Sequence, residues 1–145
     1  MPNFAQGIYQ LQNPDKYVGR GNPRYRSGWE HSFFLFCDQN PSVLQWASEA
    51  ISVKYHHPFT HKVTSYVPDI FMRYRDQHGR EHAEIIEIKP RKQSVIEGRM
   101  SERDRMIVAI NHAKWAAARA YCARMGIQFR VLNEDALFHQ GGKKR

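Results

Sequence analysis

The sequence predicts a single α/β domain: one helix, a small sheet carrying a hairpin, a long helix packed on that sheet, and a closing strand. Three observations predict it. Aromatic residues recur at helical spacing after Ser27, two strand-like runs flank the turn Asp76-Gln77-His78-Gly79, and a long helical pattern ends at Gly126. The chain has 145 residues, 41% of them hydrophobic and 12% aromatic, which is enough for one core. Residues 1–24 read as an arm, 25–140 as the domain and 141–145 as a basic tail.

Residues 1–24 mix Asn, Pro, Gly, Gln and Arg without apolar periodicity, as an extended segment that orders on a partner would. Ser27-Gly28-Trp29-Glu30 then opens a helix, with Ser as N-cap and Glu three residues on. Trp29, Phe33, Phe36 and Cys37 give that helix an aromatic buried face until Asn40-Pro41 ends it. Residues 43–55 read as one bent strand, followed by a loop holding His56, His57, Pro58 and His61. Residues 63–75 and 80–89 form the hairpin, whose Gly79 supplies a positive φ. Pro90 stops the second strand, and a basic loop covers 91–99. The long helix, 101–125, carries Met106, Ile110, Ala113, Ala117, Ala120 and Tyr121 on one face, small enough to pack closely on a sheet. Residues 127–132 form the last strand, and Asn133-Glu134-Asp135 caps a short final helix.

Lys and Arg number 22 against 14 Asp and Glu, a formal charge of +8, which points to a polyanionic partner. No apolar run is long enough for a membrane span or a secretory signal, so the expected compartment is a cytosol. Cys37 and Cys122 are too few for a disulfide framework and form no Cys-x-x-Cys pair.

The chemistry concentrates in the hairpin. A loop at 77–79 sets Asp76 opposite Arg80 and, in the same register, Asp69 opposite Glu87. Lys89 shares the face of Glu87, so two carboxylates and an ammonium converge at one end of the hairpin. A divalent cation is the natural compensation for facing carboxylates, because Mg²⁺ binds through one or two carboxylates, waters and a substrate phosphate. Such a site suits phosphodiester hydrolysis. An exposed salt-bridge cluster would use the same residue types, but Glu87 and Lys89 are set among Ile85, Ile86, Ile88 and Pro90, near the core. Glu30 fits a capping box on its own account, and it adds a further oxygen ligand if its helix packs beside the hairpin.

Taken in order, Ser27-x-x-Glu30, Asp38-x-x-Pro41-x-Val43, Tyr66-x-Pro68-Asp69 and Glu87-Ile88-Lys89 resemble the PD-(D/E)XK nuclease core in its transposon-end endonuclease-like variant. Tyr25-Arg26-Ser27-x-Trp29-Glu30, Trp46-x-Ser48-Glu49 and Gly126-Ile127-x-Phe129-Arg130-x-Leu132 are similar to the head completion nucleases of tailed phages. The resemblance spans residues 24–138. It implies a restriction-endonuclease-like core with a mixed sheet flanked by helices. It also implies a Mg²⁺-dependent deoxyribonuclease, with Mn²⁺ as substitute, that cuts or trims DNA ends during head maturation after packaging. Asp69, Glu87 and Glu30 would be metal ligands, and Lys89 would orient or activate water. The implied partners are double-stranded DNA and phage head or neck proteins, with a homodimer as one route to cutting both strands. The implied location is the host cytoplasm during assembly, or the virion head or neck.

Phosphate contacts are expected from Arg26, Arg91, Lys92, Arg99, Arg103 and Lys114, with Arg20, Arg24 and Arg105 extending the basic surface. Asn111 and Trp115 stand beside Lys114 on the long helix; together they could hold a phosphate or simply form an exposed face. Tyr17 and Tyr25 are candidates for base stacking. Glu49 reads as a solvent-facing strand acid, and His56, His57 and His61 as loop histidines more than zinc ligands, since Pro58 interrupts the helical spacing. His31, next to Glu30, is a candidate proton carrier. Two other readings fit the same composition: a structural neck protein that binds DNA without cutting, and a mobile-element or junction-specific endonuclease.

Overall fold

A computed structural model describes residues 6–133, so the final helix expected after Asn133 and the basic tail lie outside the described residues. The first helix, α1 (Gly28–Gln39), starts as its sequence dictates: Ser27 Oγ accepts from the Glu30 N–H at 3.1 Å, and Glu30 Oε1 accepts from the Arg26 N–H at 2.7 Å. Its buried stripe is Phe33, Phe34, Cys37 and Asp38. Phe36, expected inside, is exposed and stacks on Phe33, because it lies a helical step outside that stripe.

The segment before α1 is packed, where an extended arm was expected. Strand β1 (Gly7–Ile8) pairs antiparallel with β2 (Arg24–Tyr25), and a 3₁₀ turn at Pro14–Lys16 lies between them. The cause is Asp38, fully buried, whose carboxylate accepts from the Tyr9 hydroxyl (2.7 Å) and from the N–H groups of Gln12 (2.8 Å) and Asn13 (3.0 Å). Burial pushes the Asp38 carboxyl up, but these hydrogen bonds outweigh it and hold the group below the usual carboxylate range.

The main sheet has four strands in the order β3 (Val43–Ser48), β6 (Ile70–Arg75), β7 (Glu81–Ile88), β8 (Gln128–Leu132). The first two pairings are antiparallel and β7–β8 is parallel, so the sheet is mixed. The parallel pair requires a crossover, which is α2 (Glu102–Met125). Ser101 caps α2 by accepting from the Asp104 N–H, and Gly126 ends it at φ 75°, a conformation that favours glycine.

Two expected strands are each split in two. Residues 43–55 contain β3 and β4 (Val53–His56), and 63–75 contain β5 (Val63–Tyr66) and β6. β4 and β5 pair with each other as a separate antiparallel ribbon. Pro68, lacking an N–H for the ladder, sits at the second break. The β6–β7 register is as the turn implied, from Arg75 opposite Glu81 to Ile70 opposite Ile86. Asp76 Oδ1 stabilises that turn by accepting from the N–H groups of His78 and Arg80.

Alternation along the strands divides the core between the two faces of the sheet. Ile70, Met72, Ile86, Ile88 and Leu132 join Phe33, Phe34, Cys37 and Trp46 on the α1 face. On the other face, Phe129 and Val131 pack with Trp115 and Ala118 of α2 and with Val53, Tyr55 and Tyr66 of the ribbon. β7 is covered on both faces, with residues 84–88 all buried. Each fully buried Ile there contributes about 2 kcal/mol. The α2 core face differs from the expected one: Val108, Asn111, Trp115, Ala118 and Cys122 are buried, while Met106 and Ala120 are exposed. Cys37 and Cys122 are free buried thiols, each pushed up by burial. Among the described residues, no helix is long and apolar enough to cross a membrane.

Candidate active site at the end of the central hairpin

The strand alternation that buries Ile86 and Ile88 against α1 turns Glu87 toward the α2 face. There Glu87 is 5% exposed, with its Oε1 accepting from the Tyr66 hydroxyl at 2.7 Å and its Oε2 lying 3.5 Å from Lys89 Nζ. Asp69 stands just before β6, where Pro68 has redirected the chain, and its Oδ2 accepts from the Ile88 N–H at 2.7 Å. That side-chain bond ties Asp69 to the end of β7, next to Glu87. Burial pushes the Asp69 carboxyl well up, and the neighbouring Glu87 charge adds to this; the Ile88 N–H opposes it, the Glu30 charge reinforces it, and Lys89 opposes it. Glu87 is also raised by burial, against the pull of Lys89, Tyr66 and Lys114. Asp69, Glu87, Lys89 and Glu30 thus form one electrostatic group, drawn from β7 and the residue after it, the residue before β6 and the first turn of α1.

Lys114 belongs to this group as well. It is half-buried on α2, with Nζ 5.6 Å from the Tyr66 ring centre and 6.0 Å from that of Tyr55. Burial lowers it, Lys89 lowers it further and Glu87 raises it. Its position differs from an exposed helix face, because its neighbours are inside: Asn111 is buried and donates to the Gln93 carbonyl at 2.9 Å, and Trp115 is buried in the core. Asn111 is therefore an anchor for the loop after β7. Tyr66 was not singled out for its hydroxyl in the sequence; the available signal was its place two residues before Pro68 in a run that ends at an acid.

Asp69 and Glu87 fit a hard dication. Both are oxygen donors whose negative charge is uncompensated enough to raise their affinity for protons, and Mg²⁺ needs only one or two carboxylates alongside water and phosphate. Among the described residues, no cluster of three or more His, Cys, Asp or Glu side chains is arranged to hold a metal ion. Glu30 in particular is occupied by the Arg26 N–H, as a capping residue.

The expected phosphate contacts fall into two classes. Arg26 is bound to Glu49 through Nε at 3.0 Å and a second bond at 3.2 Å, and Arg91 is paired with Glu97, with Nε at 3.1 Å. Lys92, Arg99 and Arg103 are exposed, and among the described residues none has an ion pair; Lys92 and Arg99 line a recess of about 290 Å³. A groove of about 630 Å³ lined by Arg20, Arg24, Arg26 and Glu49 borders the site, because the Glu49 N–H donates to the Asp69 carbonyl. Glu49 lies just past β3 and has a φ of 52°. The stacking candidates are already engaged: Tyr17 packs on Trp46 and Tyr25 on His31. His31, wedged between Tyr25 and Tyr9, is part of that aromatic packing. His56 and His57 lie at the end of β4, and His61 in the turn of the ribbon.

Comparison with known proteins gives two findings. The profile of the TnsA-like endonuclease N-terminal family matches residues 40–134. The chain is 34% identical over 150 residues to the head completion nuclease of Enterobacteria phage T4, covering 94% of this chain and 96% of that protein.

Proposed function

Because this chain belongs to the TnsA-like endonuclease family, whose core is restriction-endonuclease-like, we propose that it is a phage head completion nuclease. It hydrolyses DNA phosphodiesters with a divalent cation, Mg²⁺ or Mn²⁺, and cuts or trims DNA ends during head maturation after packaging. The observation that carries this reading is the convergence of two carboxylates and an ammonium, Asp69, Glu87 and Lys89, at one end of a central hairpin.

In this reading Asp69 and Glu87 hold the cation, with Glu30 close enough to contribute charge. A bound dication supplies offsetting charge at the phosphorus and a depressed pKa for its water. Lys89 donates hydrogen bonds to the attacking water or to a phosphate oxygen, and its tether to Glu87 fixes its reach. The Ile88 N–H and the Tyr66 hydroxyl each hold one oxygen of a carboxylate, and Lys89 lies against the second oxygen of Glu87, so both carboxylates are fixed in orientation. Lys114 offsets negative charge on the α2 side when a phosphate enters. Lys92, Arg99 and Arg103 hold the backbone of the duplex, with Arg26 and Arg91 added when their carboxylate partners exchange for phosphate.

The test is cleavage of plasmid and linear duplex with Mg²⁺, Mn²⁺ or EDTA, run beside Lys89→Ala. Cation-dependent cutting that falls by a factor of about 10² or more in the variant is expected. Equal cutting by both proteins would remove Lys89 from the site.

A further inference from the structure

The β4–β5 ribbon carries a surface that the cleavage chemistry does not use. Its inner face is Val53, Tyr55 and Tyr66, packed on α2, and its outer face presents Lys54, His56, Val63 and Ser65 to solvent. No Asp or Glu occurs between Glu49 and Asp69, so the whole ribbon is free of negative side chains. At its tip the turn is built on one imidazole: His57 Nδ1 accepts from the N–H groups of Phe59 and Thr60, each at 3.2 Å. The His57 N–H donates to the Lys62 carbonyl and the His61 N–H to the His57 carbonyl, with His61 at φ 62°. This turn displays Phe59, 44% exposed, with Lys62 three residues on. Phe59 is a large apolar ring held partly in solvent by a locally bonded turn, edge-on to the His57 ring, on a ribbon whose charged side chains, Lys54 and Lys62, are both basic.

The ribbon is also in register with the site, since Tyr66, the last residue of β5, donates to Glu87. From Tyr66 to Val63 the strand covers about 10 Å, which is about three base steps along a nucleic-acid strand. We infer that the β4–β5 ribbon is a second DNA-contacting element, which stacks Phe59 on an unpaired base a few nucleotides from the cut. The outer row of Lys54 and His56 follows the phosphates that lead to it. The preferred substrate is then a duplex whose stacking is interrupted, as at a frayed or flapped end, because a fully paired stack offers no open base face to Phe59. This inference rests on the nuclease reading for the location of the cut, and on the ribbon alone for the binding.

The experiment uses the full chain in EDTA, with duplex DNA bearing a short single-stranded flap that carries 2-aminopurine, and fully paired duplex as reference. The parent is expected to quench the 2-aminopurine and to favour flap over paired DNA. Phe59→Ala should lose the quenching and lower that preference about tenfold, and Phe59→Trp should restore both. Equal quenching by parent and Phe59→Ala, or a parent with no preference for the flap, overturns the inference. A parent that quenches and prefers the flap but cuts nothing with Mg²⁺ or Mn²⁺ removes the nuclease reading and leaves the ribbon's role standing. Phe59 is an exposed turn residue whose backbone makes the bonds to His57, so its side chain can be changed without dismantling the turn.

Discussion

The Tyr66 hydroxyl donates to Glu87 Oε1 at 2.7 Å, joining a ribbon outside the main sheet to the buried carboxylate near the end of β7. The bond favours the ionised carboxylate and opposes the burial that raises Glu87. Tyr66→Phe therefore raises the Glu87 carboxyl further, and the acidic limb of the cleavage pH profile should move to higher pH. It also leaves a buried charged oxygen without its donor, at a cost of about 2 kcal/mol. A pH profile of cleavage and a urea titration check both parts; an acidic limb that stays in place would show that Glu87 does not control it.

Asp69 gives a stability prediction of opposite sign. Its carboxyl is raised in the folded protein, so the folded state binds that proton more tightly than the unfolded chain does. Without metal, this group destabilises the fold at neutral pH. Its effect fades as pH falls through the raised folded value toward the ordinary carboxylate range. Asp69→Asn should then melt higher than the parent in EDTA at pH 7, with the gap closing on acidification, because the amide oxygen can still accept from the Ile88 N–H. Mg²⁺ should raise the parent's Tm and leave the variant's almost unchanged. A variant melting at or below the parent at pH 7 would mean that the Asp69 charge is already compensated.

The basic segment after β7 divides by pairing. Arg91 is held by Glu97, whereas Lys92, Arg99 and Arg103 show no ion pair among the described residues. Replacing the latter three by Ala should weaken DNA binding evenly across sequences and reduce the slope of log K against log salt by up to about 0.9 per residue. Arg91→Ala should change the slope less. Binding isotherms at several salt concentrations decide this, and a loss confined to particular sequences would contradict backbone contact.

The placing of the candidate carboxylates was legible because they lie at a hairpin, where a two-fold side-chain period and a turn of fixed length determine which residues face each other. Asp69 and Glu87 follow from Asp76 and Gly79 by counting. Glu30 was legible as a cap, and it serves as one. What could not be read locally came from tertiary contact. Residues 43–55 and 63–75 are strand-like throughout, and the sequence does not say that each divides between two sheets; only Pro68 marks a break. Lys114 and Asn111 are neighbours on one helix, and the sheet and the loop after β7 decide that one lies beside Tyr66 and Glu87 and the other ties down the loop. The N-terminal segment has no periodicity of its own, and its order comes from tertiary contacts: with Asp38 on α1, with Trp46 on β3 and within the β1–β2 pair.

That acid supplies the last prediction. Asp38 is polar, fully buried and remote in sequence from the groups it satisfies: the Tyr9 hydroxyl and the N–H groups of Gln12 and Asn13. Asp38→Ala orphans all three donors, while Asp38→Asn keeps one acceptor oxygen and puts an amide where the carboxylate accepted the rest. Breaking this charge-assisted set should cost about 3 kcal/mol for Ala and somewhat less for Asn. Because the Asp38 carboxyl is held low in the folded state, its contribution is complete above the unfolded carboxylate range and is lost as pH falls toward the depressed folded value. The parent should thus approach the stability of Asp38→Ala only in strong acid. With the anchor gone, residues 9–16 should become open to limited proteolysis at neutral pH before the sheet unfolds. Protection of that segment in Asp38→Ala equal to the parent's would show that β1–β2 pairing and the Tyr9 ring hold it without the carboxylate.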